Sequence, residues 1–283
     1  MPDVLERPAI HITRWGQSGP RVILVHGGAQ GAGQGGERSF ARQQALAERG
    51  WRVVVPDRPG HGKSPDPGRP DDSELDGVWV ADLLEDGAHL VGHSFGGAVA
   101  LAAAAKRPAA VRSLTLIEPA MHRIATSDPR VRRWLLRIVG AQLLSFSPVT
   151  RAKRFLRLVG IPAEMSNLDD AVLARLGRGL RRARIPDGET LERELATTRR
   201  AGVPLLVVSG GWSPAFEASA DVVAEKGGGK HVVVRSEHHF PQLVSDEFNQ
   251  LLAAFMIESD AGRSQNREAS AVMESSATSR SQP

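Results

Sequence analysis

The chain reads as an α/β protein, a mostly parallel, twisted sheet flanked by helices, with a helical cap inserted late in the sheet. Three observations lead there. Short apolar runs rich in Val, Ile and Leu alternate with longer helical stretches, the pattern of strands buried on both faces by crossover helices. A glycine-rich strand-to-turn-to-helix junction lies near residue 94. The alternation then stops for some 80 residues of helical pattern with no convincing strand.

In order, Ile10–Arg14 suits an edge strand, and Arg21–Val25 (RVILV), Arg52–Val55 (RVVV) and Ala88–Val91 (AHLV) suit buried ones. Ser113–Ile117, Leu205–Val208 and His231–Val234 complete the set. Helices are expected over Ser39–Arg49, Phe95–Lys106, Ala215–Glu225 and Gln242–Ile257. Residues 1–119 and 201–260 form the core in this reading, and residues 120–200 the cap. Residues 261–283, rich in Ser, Arg, Glu and Gln, lack the apolar residues to pack and are expected to be a disordered tail. A chain of 283 residues that is 41% hydrophobic can bury a sizeable core without staples.

Composition excludes some chemistry. There is no cysteine, hence no disulfide framework and no thiolate metal site. The longest uninterrupted apolar run, Ala98–Ala105, is far short of the ~20 residues a spanning helix needs. The first residues lack a basic-then-apolar leader. The expectation is a soluble, cytoplasmic protein with no membrane partner. Residues 121–200 hold 16 Arg and one Lys against eight Asp or Glu, a net of +9 within a chain of +4. With no aromatic platforms or zinc ligands among these arginines, they read as solvated helix faces, not as a nucleic-acid surface.

The sharpest motif is Gly92-His93-Ser94-Phe95-Gly96. It follows the AHLV strand and opens an Ala-rich helix, the context in which G-x-S-x-G makes a nucleophile elbow. Side chains at Gly92 and Gly96 would collide with the neighbouring strand and helix. The helix N-terminus favours negative charge developing beside Ser94.

With His26-Gly27-Gly28-Ala29 after RVILV, and Asp57-Arg58-Pro59-Gly60-His61-Gly62-Lys63-Ser64 after RVVV, the sequence resembles the α/β-hydrolase family over roughly residues 9–258. In that family's strand count the cap follows strand six. The resemblance implies an oxyanion hole from the backbone amides of Gly28 and Phe95. In the D-x-x-G-x-G-x-S turn, Asp57 is expected to cap backbone groups.

The resemblance also places a catalytic histidine before the last helix, in Ser236-Glu237-His238-His239-Phe240-Pro241. Proline two residues after the histidine selects His239, with His238 as the alternative. The family's usual aspartate slot, after Leu205–Val208, holds Ser213, which cannot supply a carboxylate. Some relatives carry the acid one strand earlier, and here SLTLI runs directly into Glu118-Pro119. Glu118 is therefore the expected acid, with Glu217 and then Asp221 as alternatives.

The implied activity is a serine hydrolase acting on an ester or lactone of a small, apolar substrate through an acyl-enzyme. It needs no cofactor, no metal and no nucleic acid. Amide, thioester or carbon–carbon bond hydrolysis by the same triad, and a catalytically silent ligand-binding fold, stay open. Met121, Trp134, Leu135, Leu143, Phe146, Phe155 and Met165 of the cap either line an apolar pocket or form the cap's own core. His122, at the start of the insertion, has the option of facing the pocket.

Overall fold

The computed structural model describes residues 9–28, 35–161 and 168–279. Seven strands make one sheet: β1 (Ile12–Trp15), β2 (Arg21–Val25), β3 (Arg52–Pro56), β4 (Ala88–His93), β5 (Val111–Ile117), β6 (Leu205–Ser209) and β7 (Lys230–Val233). Their spatial order is β1-β3-β2-β4-β5-β6-β7. Only β1 is antiparallel to its neighbour, with Ile12 opposite Pro56, and the rest pair in parallel.

Alternation along the strands divides the core into two layers. Ile23, Val25, Leu90, Leu114, Leu116 and Val207 face one side. Val22, Leu24, Val53, Val55, Val91 and Val208 face the other. Burial on both faces explains why these strands are almost unbroken runs of Val, Ile and Leu.

Among the described residues the helices are α1 (Gly36–Ser39), α2 (Ala45–Glu48), α3 (Ser73–Leu83), α4 (Phe95–Lys106), α5 (Pro129–Leu143), α6 (Pro148–Leu158), α7 (Asp170–Gly179), α8 (Gly188–Arg200), α9 (Pro214–Gly227) and α10 (Glu247–Ser279). Four of them, α5 to α8, fall between β5 and β6, where the alternation lapses. Asp128, Ser147, Asp169 and Asp187 cap their N-termini through side-chain oxygens. Ala152, Leu156, Val159, Ile161 and Leu173 gather there into a third apolar cluster.

Three expectations change. The helix expected over Ser39–Arg49 is broken into α1, a 3-10 turn (Ala41–Gln44) and α2. Phe40 leaves helical geometry between them (φ −128°, ψ 27°) and is fully buried. The helix expected to begin at Gln242 instead starts at Glu247, after a 3-10 turn at Pro241–Leu243. The segment from residue 261, expected to be disordered, continues α10 to Ser279. It contains no helix-breaking proline before residue 283, and Arg263 ties it to the sheet by donating to the carbonyls of Val111 and Ala109. Helix α3 lies outside the sequence reading altogether. Asp72 starts it, accepting from the amides of Glu74 and Leu75.

Candidate active site

Ser94 sits between β4 and α4 with φ 55° and ψ −122°. A Cβ at Gly92 would strike the Gly96 carbonyl, and one at Gly96 would strike the carbonyls of Val25 and His26. Glycine is required at both because β2, β4 and α4 converge here with no room for a side chain. The Ser94 amide donates to Ile117 O at 2.9 Å, and Ser94 O accepts from Ala120 N at 3.0 Å. The elbow is thereby bound to the end of β5, where Glu118 follows.

Among the described residues, three non-glycine residues have positive φ: Glu85 (47°), Ser94 (55°) and Glu118 (43°). Two of these are the expected nucleophile and acid. Such strain persists only where the surroundings hold it, and it concentrates at functional sites.

Glu118 is fully buried in its side chain and shares its two oxygens among three donors. Oε1 accepts from Gly210 N at 2.7 Å. Oε2 lies 3.0 Å from Trp212 Nε1 and 3.0 Å from His239 Nδ1. Burial pushes the carboxyl up to about 7, opposed by the Gly210 and Trp212 hydrogen bonds. Burial acts on His239 in the other direction, holding the imidazole down at about 3, with His238 adding to the effect. His239 is accordingly neutral near pH 7, the state a general base requires.

The alternatives are engaged elsewhere. Glu217 accepts from Ser209 Oγ at 2.8 Å and from Gly211 N at 2.9 Å. Asp221 lies 2.7 Å from His231 Nδ1. His238 turns into its own loop, its Nδ1 accepting from Phe240 N at 3.2 Å. Ser213 caps α9 without a side-chain hydrogen bond to that helix.

The expected oxyanion residues lie together. A Cβ on Gly28 would be 3.6 Å from Phe95 Cβ, and one on Gly27 would be 2.8 Å from Ser94 Cβ. Arg58 braces this turn: its amide donates to His26 Nε2 at 2.9 Å and its Nε to His26 O at 3.2 Å. The Asp57 carboxylate accepts from Gly36 N and Lys63 N, the capping role expected of it. Ala29 and Met165 lie outside the described residues.

Ser94 and His239 approach through His93, whose Nε2 donates to His239 O at 2.8 Å and whose ring centroid is 4.8 Å from that of His239. No hydrogen bond among the described residues joins Ser94 Oγ to the imidazole. In unliganded enzymes such bonds are often long and tighten with substrate.

Trp212, Phe216 and Gly160 carry no role in the sequence reading, whereas His122 and Trp134 are pocket candidates there. Trp212 reaches Glu118 from the position just before Ser213. Phe216 stands 5.1 Å from the His239 ring, centroid to centroid, and His122 packs edge-on against Phe216 and Trp134 at 4.4 and 4.1 Å. His122 Nδ1 is 2.7 Å from Ser219 Oγ. Gly160, at the end of α6, accepts from His239 N at 3.0 Å and lies against the Trp212 ring. The tryptophan stands in a quotable motif, GGWSP, but Gly160 has no local signal because its partners are distant in sequence. Of the residues expected to line a pocket or form a cap core, Met121 is buried and Trp134, Leu135 and Phe155 are partly buried, whereas Leu143 and Phe146 are exposed.

No group of three or more His, Cys, Asp or Glu among the described residues is placed to hold a metal ion.

Comparison with known proteins bears on the family and the fold. The chain is 33% identical over 251 residues to the lipase LipV of Mycobacterium tuberculosis, covering 87% of this chain and 84% of that one. Among solved structures, it resembles Est816, described as an N-acyl homoserine lactone degrading enzyme, with a TM-score of 0.62 at 21% identity over 87% of this chain and 96% of that one. It also resembles the N-acyl homoserine lactonase AidH complexed with N-butanoyl homoserine, with a TM-score of 0.60 at 22% identity over 88% and 93%. At those identities the two structures speak for the fold alone. Residues 22–251, from β2 into the last helix, match the alpha/beta hydrolase family, and the chain belongs to it.

Proposed function

We propose that this protein is a serine hydrolase that cleaves an ester or lactone of a small substrate with an apolar acyl part, through Ser94, His239 and Glu118. The observation that carries the reading is the 3.0 Å contact between Glu118 Oε2 and His239 Nδ1, beside a serine held at φ 55° on a strand-to-helix turn. The carboxylate fixes the Nδ1–H tautomer, which leaves Nε2 to take the Ser94 proton as Oγ attacks the carbonyl carbon. The amides of Gly28 and Phe95 receive the oxyanion. His239 then protonates the leaving alcohol, activates water against the acyl-enzyme and is regenerated as the acid departs. Phe216, Trp134 and Trp212 around His122 and His239 support an apolar acyl site. The relatives named as lipase and lactonase support an ester or lactone bond.

A fluorophosphonate probe should label Ser94 rapidly, and Ser94→Ala should abolish both labelling and about 10⁴-fold of kcat on the best substrate of an ester and lactone panel. Absent labelling of the folded wild type would favour a silent ligand-binding member of the family. His239→Ala should match the serine loss while His238→Ala costs far less. Glu118→Gln should lower kcat by at least ~10²-fold, with Glu217→Gln within a few-fold of wild type. The reverse order of the two glutamates would reassign the acid.

A further inference from the structure

Helix α5 is apolar on two sides. Its inner side carries Val131, Trp134, Leu135 and Ile138 toward the body of the protein. Its outer side carries Leu136, Val139 and Leu143, spaced three and four apart so that they form one stripe. The chain extends this stripe through Leu144 to Phe146. Leu136 is 65% exposed, Leu143 and Leu144 are 69% exposed each, and Phe146 is fully exposed. Five large apolar side chains in eleven residues of surface are too many to be scattered exceptions.

Cations surround the stripe. Arg132, Arg133 and Arg137 are exposed on α5 itself, and Arg154 and Arg157 are exposed on α6. Arg154 donates to the Leu144 carbonyl at 3.1 Å, which places its guanidinium group at the edge of the stripe. None of these five arginines forms an ion pair among the described residues. An exposed apolar ridge among unpaired arginines is the composition that binds at an anionic lipid interface, with apolar groups entering the headgroup boundary and guanidinium groups meeting phosphates.

We infer that α5 and the turn through Phe146 form a docking surface for an anionic lipid bilayer. A second copy of this chain fits less well, because a two-fold contact would set the same arginines against one another. No helix of the described residues is long and apolar enough to cross a membrane, so the contact is peripheral. The inner side of α5 presents Trp134 to His122, so the docked helix also forms part of the wall near His239.

The test is cosedimentation of the full chain with phosphatidylcholine vesicles and with mixed phosphatidylcholine–phosphatidylglycerol vesicles, at low and high salt. Binding is expected only to the mixed vesicles, weakening as salt rises. Leu143→Ser with Phe146→Ser, and separately Arg132→Gln with Arg133→Gln and Arg137→Gln, should each lower the partition coefficient by about tenfold or more. Thermal unfolding should change little, since all five positions are exposed. Failure to bind the mixed vesicles, or equal binding by both variants, would overturn the proposal. So would a dimer in solution that the Leu143/Phe146 variant dissociates, since the stripe would then be an interface between copies.

Discussion

Glu118 is expensive to keep: a carboxylate at positive φ, out of water, held by three donors. Trp212 is the donor with the clearest test, because its indole shares Oε2 with the imidazole. A hydrogen bond to the ionised form favours that form, so losing it raises the carboxyl's pKa. Gly210, His239, His231 and His238 are the other groups acting on Glu118. Trp212→Phe removes Nε1–H while leaving an aromatic ring against Phe216 and Gly160. The acidic limb of the kcat/KM profile should move up by about one pH unit, as expected for one hydrogen bond to a charged group. A variant that lost activity equally at every pH would show that the indole only fills space.

At the scale of elements, the site is where two rigid pieces meet. The sheet supplies Ser94 and Glu118 from the adjacent ends of β4 and β5. The third apolar cluster, built mainly from α6 and α7, includes Phe240, the neighbour of His239. Gly160 closes the junction with a φ of 62°, and a Cβ there would be 2.7 Å from the Trp212 ring. Gly202 has a similar φ of 69° with nothing nearby, so it serves as the control. Alanine at either should cost about 1 kcal/mol of stability from backbone strain, and at Gly160 the clash with the indole adds to it. Only Gly160→Ala should also lower kcat, by displacing Trp212 from Glu118. Equal kcat for the two variants would dissociate the end of α6 from the acid.

The same contrast explains what could be read from the sequence. Strands buried on both faces and the Gly92–Gly96 turn announce themselves, because each is fixed by neighbours within a few residues. That Glu118 lies within reach of His239 was legible from its place directly after SLTLI, because Ser213 lacks a carboxylate. Trp212, Phe216 and Gly160 were not, since what recruits them is contact across 23 to 94 residues of chain. Nor does helical periodicity say which of two apolar faces will find a partner, which is why Leu143 and Phe146 look like lining residues until α5 is placed.

Taken as one molecule, the protein carries opposing pH dependences. Asp71, though raised by burial, is drawn well below the usual carboxylate range by Arg58 and His61. Its contribution to stability is present above about pH 4 and lost as acid protonates it. Glu118 runs the other way. Its folded value of about 7 stands above the 4.5 of an unperturbed glutamate, so the folded state binds a proton more tightly than the unfolded one. Stability from this group is full below pH 4.5 and falls as pH rises through 7, by about 3 kcal/mol in all. Glu118→Gln abolishes the titration, whatever constant offset the amide introduces. The difference in melting temperature, variant minus wild type, should therefore rise between pH 5 and pH 8, by about 5 °C for a chain of this size. A difference that stayed flat or fell over that range would mean the buried carboxyl does not take up charge there. The site would then lack the anion that His239 needs opposite its developing positive charge, and the acid would have to be sought in another residue.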